Sequence, residues 1–280
     1  MKDYMLANNI SIPSIGFGTW TLDEHDICVA AVTAALESGY RHIDTAAIYK
    51  NEAFIGEALK QSSIKREDIF ITTKLWNDVR GYDETIQAFE TSIAKLGIDY
   101  IDLYLIHWPN PVKYRTNWKQ MNAESYRAME DLYNQGKIRA IGVSNFMEHH
   151  LDALLETCKI IPMVNQIELH PGLLQNNIVH YCRQKNILIE AYSPLGRAKL
   201  LDKLELRDIA DKYNCSVAQI ILRWQLQKGY LPLPRSTNAK RIKQNIQVFD
   251  FTLDDNDIAY IDNLAYDDVS SNKNPDTIEF

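Results

Sequence analysis

Eight times in succession the sequence runs through the same figure: a short apolar segment, a polar residue at its end, then an amphipathic stretch at helical spacing. The apolar segments are Ile15–Phe17, Arg41–Asp44, Ile69–Lys74, Ile101–His107, Ala140–Ser144, Met163–Ile167, Leu188–Tyr192 and Tyr230–Leu233. The helical stretches are Asp26–Ser38, Asn51–Lys60, Asp83–Leu96, Ala123–Gln135, Glu148–Thr157, Gln175–Lys185, Lys203–Gln227 and Asn238–Gln247. Leu154, Leu155 and Cys158 show the three-to-four spacing that gives a helix one apolar stripe. Strands that alternate with helices must lie parallel, because each return needs a crossover. Eight such units with no linker between them favour closure into a (β/α)8 barrel over an open sheet, with residues 1–280 as one domain. The segment Tyr4–Pro13 precedes the first unit and is expected to form a hairpin under the barrel floor.

Composition narrows the function. The net charge is −7, which disfavours general nucleic-acid binding, since phosphates demand basic surface. Met1 to Ile10 carries Lys2, Asp3 and two Asn, unlike a signal peptide, and no apolar run approaches the roughly 20 residues of a membrane span. Cys28, Cys158, Cys182 and Cys215 are far apart and form no CxxC pair, so reduced thiols and a cytoplasmic setting are expected. His149 and His150 are adjacent in a helical stretch and face different sides, with no neighbouring ligand in sequence, so no metal site is expected.

In a barrel of this kind chemistry belongs at the C-terminal strand ends. Those ends carry Asp44, Lys74, His107, Ser144-Asn145, Asn165-Gln166 and Tyr192. A lysine closing the apolar run Ile69–Lys74 needs a partner, and Asp44 on the neighbouring strand supplies one. Gly16-Phe17-Gly18 looks like the opening of a dinucleotide fingerprint, but position 21 is Thr where the third glycine belongs, and a Rossmann site is rejected. The basic segment Arg235–Asn245 after the eighth strand is the better anion site, because helices that open there present free N–H groups to phosphate. With a helix start near Asn238, Arg241 and Asn245 share one face. Trp20, Trp76 and Trp108 all fall beside strand ends, as an apolar pocket would need.

Taken in order, several motifs carry a resemblance: Gly16–Trp20, Gly39–Ala46, Tyr49–Glu52, Thr73–Trp76, Asp102–Pro109, Ile141–Phe146, Asn165–Pro171, Ala191–Gly196 and Leu233–Ser236. In these segments the chain resembles the aldo-keto reductases, particularly bacterial glyoxal and 2,5-diketo-gluconate reductases, essentially end to end. The resemblance implies a catalytic tetrad of Asp44, Tyr49, Lys74 and His107, with Tyr49 as general acid. It implies that NADPH lies against Thr19, Trp20, Asp44, Ser144, Asn145, Gln166, Tyr192, Ser193, Leu195, Arg235, Ser236, Arg241 and Asn245. Trp20, Tyr49, Trp76, His107 and Trp108 would line the substrate site. Arg235 stands where this family often has Lys, and Gln244 where an acidic residue is common.

An unperturbed tyrosine holds its proton at neutral pH. A Lys74 ammonium at ~4 Å would favour the phenolate by about 4 kcal/mol, so Lys74 is expected to lower the Tyr49 pKa. The tail Tyr266–Phe280 is expected to form a short loop over the pocket, admitting small dicarbonyls or sugar-derived aldehydes rather than steroids. A monomer is expected, since a closed barrel has no open edge. Two other readings fit parts of the pattern: a Schiff-base lyase using Lys74, and a nicotinamide-binding sensor or structural barrel with little turnover.

Overall fold

The computed structural model describes residues 3–280; Met1 and Lys2, part of the Met1–Ile10 segment considered above, lie outside them. Strands β1 (Asp3–Met5) and β2 (Ser11–Pro13) pair antiparallel as a hairpin. Eight further strands follow: β3 (Phe17–Gly18), β4 (His42–Asp44), β5 (Phe70–Leu75), β6 (Ile101–Ile106), β7 (Ile138–Ser144), β8 (Val164–Glu168), β9 (Leu188–Tyr192) and β10 (Leu231–Pro232). They form one sheet in chain order, parallel at every pairing. The two edges meet: Gly16 N donates to Pro232 O and Gly18 N to Pro234 O, both at 3.0 Å. The chain therefore forms the (β/α)8 barrel that the eightfold repeat predicts.

Helices α1 (His25–Glu37), α2 (Glu52–Gln61), α3 (Tyr82–Leu96), α4 (Trp118–Asn134), α5 (Glu148–Leu155) and α6 (Asn176–Gln184) return the chain between strands. The expected single helix over Lys203–Gln227 is instead two, α7 (Leu204–Lys212) and α8 (Val217–Gln227). Asn214 between them is left-handed at φ 51, and Ser216 caps α8 by accepting from Gln219 N while the Gln219 side chain accepts from Ser216 N. That reciprocal pair is the S-x-x-Q capping box, so the break is written in the sequence. α9 (Ala239–Ile246) starts where expected, and α10 (Asp255–Asp262) has no counterpart among the expected helices.

The strand period of two sorts the side chains. Ile43, Ile71, Tyr104, Ile106, Ile141, Val143, Ile167 and Ile189 point outward and pack with the helices. Phe70, Leu103, Leu105, Ala140, Val164, Leu231 and Leu233 fill the inside, joined from below by Leu6 and Ile12 of the hairpin. The barrel is thus apolar at its floor, and the inward positions one and two steps further along β4, β5, β8 and β9 are polar. The glycines of the rejected dinucleotide motif have a packing role. A Cβ on Gly16 would lie 2.6 Å from Leu233 and 2.7 Å from His42, and one on Gly18 would lie 3.1 Å from the Leu233 carbonyl. These positions let β3 approach β10 and close the wall.

Candidate active site

β4 and β5 end side by side, and their last inward residues are Asp44 and Lys74. Lys74 is fully buried. Its Nζ donates to both Asp44 carboxylate oxygens (2.8 and 2.9 Å) and to the Thr45 carbonyl (2.8 Å), so each of its three protons has an acceptor. A 3-10 turn over Ala47–Tyr49 then carries Tyr49 over this pair, with Lys74 Nζ 5.2 Å from the centre of its ring. His107, at the end of β6, packs edge-on against Tyr49 at 5.9 Å between ring centres. The four residues of the expected tetrad are therefore brought together.

Their electrostatics differ from the expectation in one respect. The Tyr49 hydroxyl is pushed well above the usual tyrosine range, first by burial and then by the Asp44 charge. Burial and the Asp44 charge outweigh the lowering expected from the Lys74 ammonium, whose two-oxygen contact with Asp44 brings negative charge to the same place. The free protein thus holds the phenolic proton firmly. His107 is pulled well below the usual histidine range by burial, Lys74, Arg80 and Lys273, so its ring is neutral.

A second network runs across β7, β8 and β9. Ser144 Oγ donates to the Gln166 carbonyl, and Asn145, left-handed at φ 62, donates from Nδ2 to the His107 carbonyl and accepts from the Tyr192 hydroxyl. Gln166 Nε2 donates to Asp44 (2.8 Å) and to Glu190 (2.7 Å), which fixes the amide and leaves its oxygen for another donor. Glu190 is fully buried beneath the tetrad, and burial with the Asp44 charge raises its carboxyl to about 8. Beside it His42 is pushed down to about 3 by burial and Lys74. Neither residue was singled out from the sequence, although Glu190 sits in an apolar strand run as Lys74 does.

One cavity of about 810 Å3 joins these residues to the basic segment. Of the expected site residues, Trp20, Asp44, Tyr49, Trp76, His107, Trp108, Ser144, Asn145, Gln166, Tyr192, Ser193, Leu195, Arg235, Ser236, Arg241 and Asn245 line it. Thr19 and Lys74 do not reach its wall. Thr19 is buried behind Asp44 and donates to its carbonyl, while Lys74 acts from below. At the far end Asn238 caps α9 by accepting from Arg241 N, which leaves the N–H groups of Ala239 and Lys240 without intrahelical partners. Arg235 is held by a bond to the Thr21 carbonyl.

The opposite end is aromatic. Trp76 packs edge-on against His107 at 5.1 Å, and Phe280 stacks on Trp76 at 5.7 Å and meets Trp108 edge-on at 5.5 Å. Arg80, 2 % exposed, donates to the carbonyls of Trp76, Val79 and Trp108 and so ties together the loops that carry two of the tryptophans. The tail does cover this end, but through Lys273 and Phe280 rather than its acidic residues. Asp268 pairs with Lys203, and Asp276 lies against α5, away from the cavity. Lys273, Phe280 and Arg197 were missed because neither the tail nor the loop after β9 has any periodicity to place them.

The histidine pair needs correcting. His149 and His150 lie 3.9 Å apart between ring centres, and both Nε2 atoms approach one Asp276 oxygen, at 3.0 and 2.9 Å. The three groups are close enough to be considered as metal ligands, which sequence adjacency did not suggest. Protons decide against it: His150 Nδ1 accepts from Met147 N, so Nε2 must carry the ring proton and is no free donor to a metal. His149 hydrogen-bonds Asp276 and His150 lies against the same oxygen, so the cluster clamps the tail.

The aldo/keto reductase family model matches residues 14–265. A glyoxal reductase of Bacillus subtilis is 47 % identical, covering all of this chain and 99 % of its own length. The methylglyoxal reductase DkgA of Escherichia coli is 41 % identical over 96 % of this chain and 94 % of its own. Among solved structures, Gox0644 in complex with NADPH (a D53A mutant) superimposes with a TM-score of 0.92 at 36 % identity, covering all of this chain and 99 % of that one. No helix among the described residues is long and apolar enough to cross a membrane.

Proposed function

The chain belongs to the aldo/keto reductase family, and we propose that it is an NADPH-dependent reductase of small aldehydes, ketones and dicarbonyls with Tyr49 as its general acid. The observation that carries this reading is the single cavity that runs from Tyr49 and His107 to Arg235, Arg241 and Asn245. The donor set suits the cofactor: guanidinium groups and free helix N–H groups for phosphate at one end, and the free oxygen of Gln166 for a carboxamide at the other. Ser144 and Asn145 would complete the carboxamide site, Tyr192 would stack on the nicotinamide, and Ser193 and Leu195 would flank the phosphates. Bound NADPH supplies the hydride.

Everything else falls to the protein. Neutral His107 donates a hydrogen bond to the substrate oxygen and turns the carbonyl toward Tyr49. Tyr49 keeps its proton until negative charge grows on that oxygen, then transfers it. Lys74, paired with Asp44 and 5.2 Å from the centre of the Tyr49 ring, offers positive charge to the phenolate left behind. Trp20, Trp76 and Trp108 exclude water from the reacting carbon. Lys74 makes a poor Schiff-base nucleophile here: it is fully buried, its three protons are engaged, and it does not line the cavity. With the eight-stranded barrel closed on itself, the enzyme is read as a monomer.

The test follows NADPH absorbance with methylglyoxal and an aromatic aldehyde, alongside NADPH binding by fluorescence. Tyr49→Phe is expected to lower kcat at least about 100-fold with NADPH affinity retained. Undiminished turnover in the variant would remove Tyr49 as the acid. Tight NADPH binding with negligible wild-type turnover across a broad carbonyl panel would favour the sensor reading instead.

A further inference from the structure

The tail that covers the substrate end is fixed on both sides of one residue. Ser271 donates from N and Oγ to Glu168, and Asp276 is clamped by His149 and His150. Lys273 lies between these anchors and lines the cavity. Its Nζ is 4.5 Å from the centre of the Phe280 ring and 6.0 Å from that of Trp108. Its charge is the smallest of those that lower the His107 pKa, after Lys74 and Arg80.

No carboxylate side chain among the described residues forms an ion pair with this ammonium. The nearest acid it feels, Glu168, is already engaged by Ser271 and faces His170 at 3.6 Å. The two carboxylate side chains that line the cavity are Asp23 and Asp44; Asp44 is taken by Lys74, and Asp23 lies beside Arg235. The tail's own acids, Asp267, Asp268, Asp276 and Glu279, do not line it. Of the other cations that line it, Arg197 is the one whose charge reaches Lys273, and its guanidinium sits 5.1 Å from the Trp20 ring. Partial burial and the Arg197 charge both push the Lys273 pKa down, the mark of a cation without an anion beside it.

We propose that Lys273, with Arg197 behind it, is a subsite for a carboxylate on the substrate, so that oxo acids are preferred over neutral carbonyl compounds of the same shape. The proposal rests on the reductase reading above and gives its substrate a charge. The carbonyl faces Tyr49 and His107, the carbon skeleton lies against Trp76, Trp108 and Phe280, and the carboxylate reaches the tail. Two cations also raise the local concentration of such anions at the mouth of the cavity.

The experiment measures kcat/KM for 4-carboxybenzaldehyde and 4-nitrobenzaldehyde, a pair matched in ring and differing in charge, in wild type, Lys273→Met and Lys273→Arg. The ratio of the two constants, carboxy over nitro, is expected to fall about tenfold in Lys273→Met and to be largely restored in Lys273→Arg. In wild type it is expected to shrink as NaCl is raised to 0.5 M, since salt screens a partly exposed pair. A ratio unchanged in Lys273→Met would overturn the subsite. So would an effect confined to the KM for NADPH, which would place Lys273 on the cofactor. Wild-type enzyme that oxidises NADPH with neither aldehyde, nor with methylglyoxal, would overturn the reductase reading and the subsite together.

Discussion

A phenol that must protonate a nascent alkoxide is useful only if it keeps its proton until then, and burial with the Asp44 charge gives Tyr49 that property. Reduction at saturating NADPH is therefore expected to be flat from pH 6 to 9. An alkaline loss of rate centred below pH 9, absent from the residual activity of Tyr49→Phe, would contradict it. Glu190 titrates inside this range. Its carboxyl rises to about 8 in the folded protein, from about 4.3 in an open chain. Between those values the folded state holds a proton that the unfolded chain has released, so stability is full at low pH and is lost as pH rises toward 8. Glu190→Gln keeps an acceptor for Gln166 and removes the titration. The fall in Tm between pH 5.5 and 8 should be smaller in the variant by about 3 °C or more, and equal slopes would show that Glu190 is already ionised. Residues of this kind divide by how they reveal themselves in sequence. Asp44, Lys74 and His107 are legible because a charged or polar group closes an apolar run at a strand end. Lys273 is not, because its position depends on two tail anchors made to residues more than 100 positions away.

Elements were more legible than the contacts between them. Strand positions follow from period two and apolar runs, and seven of the eight expected helices coincide with a helix in the fold. The eighth, Lys203–Gln227, contains a break whose signals are Asn214 and the Ser216–Gln219 box. No such local signal exists for Arg80, which lies between β5 and α3 yet orders two loops at once. Its guanidinium is buried, and burial lowers it to about 10. Its bonds run to carbonyls of the Trp76 and Trp108 loops. Arg80→Met would leave those acceptors buried without donors, a loss of about 2–4 kcal/mol. The expected signature is a Tm lowered by roughly 5–10 °C, together with a larger rise in KM for aromatic aldehydes than for NADPH. A variant as stable as wild type would mean that the two loops hold their tryptophans without this tether.

Across the molecule, the buried titrating groups pull stability in opposite directions on the two sides of neutrality. On the acid side, His42 is held at about 3 and His150 at about 4, and His107 also lies well below its usual range. Each stays neutral in the fold while the unfolded chain takes up a proton below about pH 6.5, so each costs up to about 1.4 kcal/mol per pH unit of acidification. Glu190 works the other way across part of this range, but one proton taken up by the fold does not offset three taken up by the unfolded chain. Asp276 and Glu168, whose pKa values are lowered by the contacts that hold the tail, add to the acid loss once pH falls toward the usual carboxylate range. On the alkaline side Glu190 is the buried group that titrates up to about 8, and at the surface His25, raised by its hydrogen bonds to Asp26 and Glu57, acts in the same direction. Beyond that the thiols join them: burial raises Cys28 to about 12 and Cys158 and Cys182 to about 11, so the unfolded chain sheds protons that the fold retains. The two slopes meet near pH 6.5. Thermal unfolding measured at constant ionic strength is expected to give its highest Tm there, falling more steeply toward pH 4.5 than toward pH 8. A Tm that continued to rise from pH 6.5 to 8 would mean that Glu190 is ionised in the folded protein. A Tm still rising below pH 5.5 would mean that the three histidines are charged where they stand, against the burial that surrounds them.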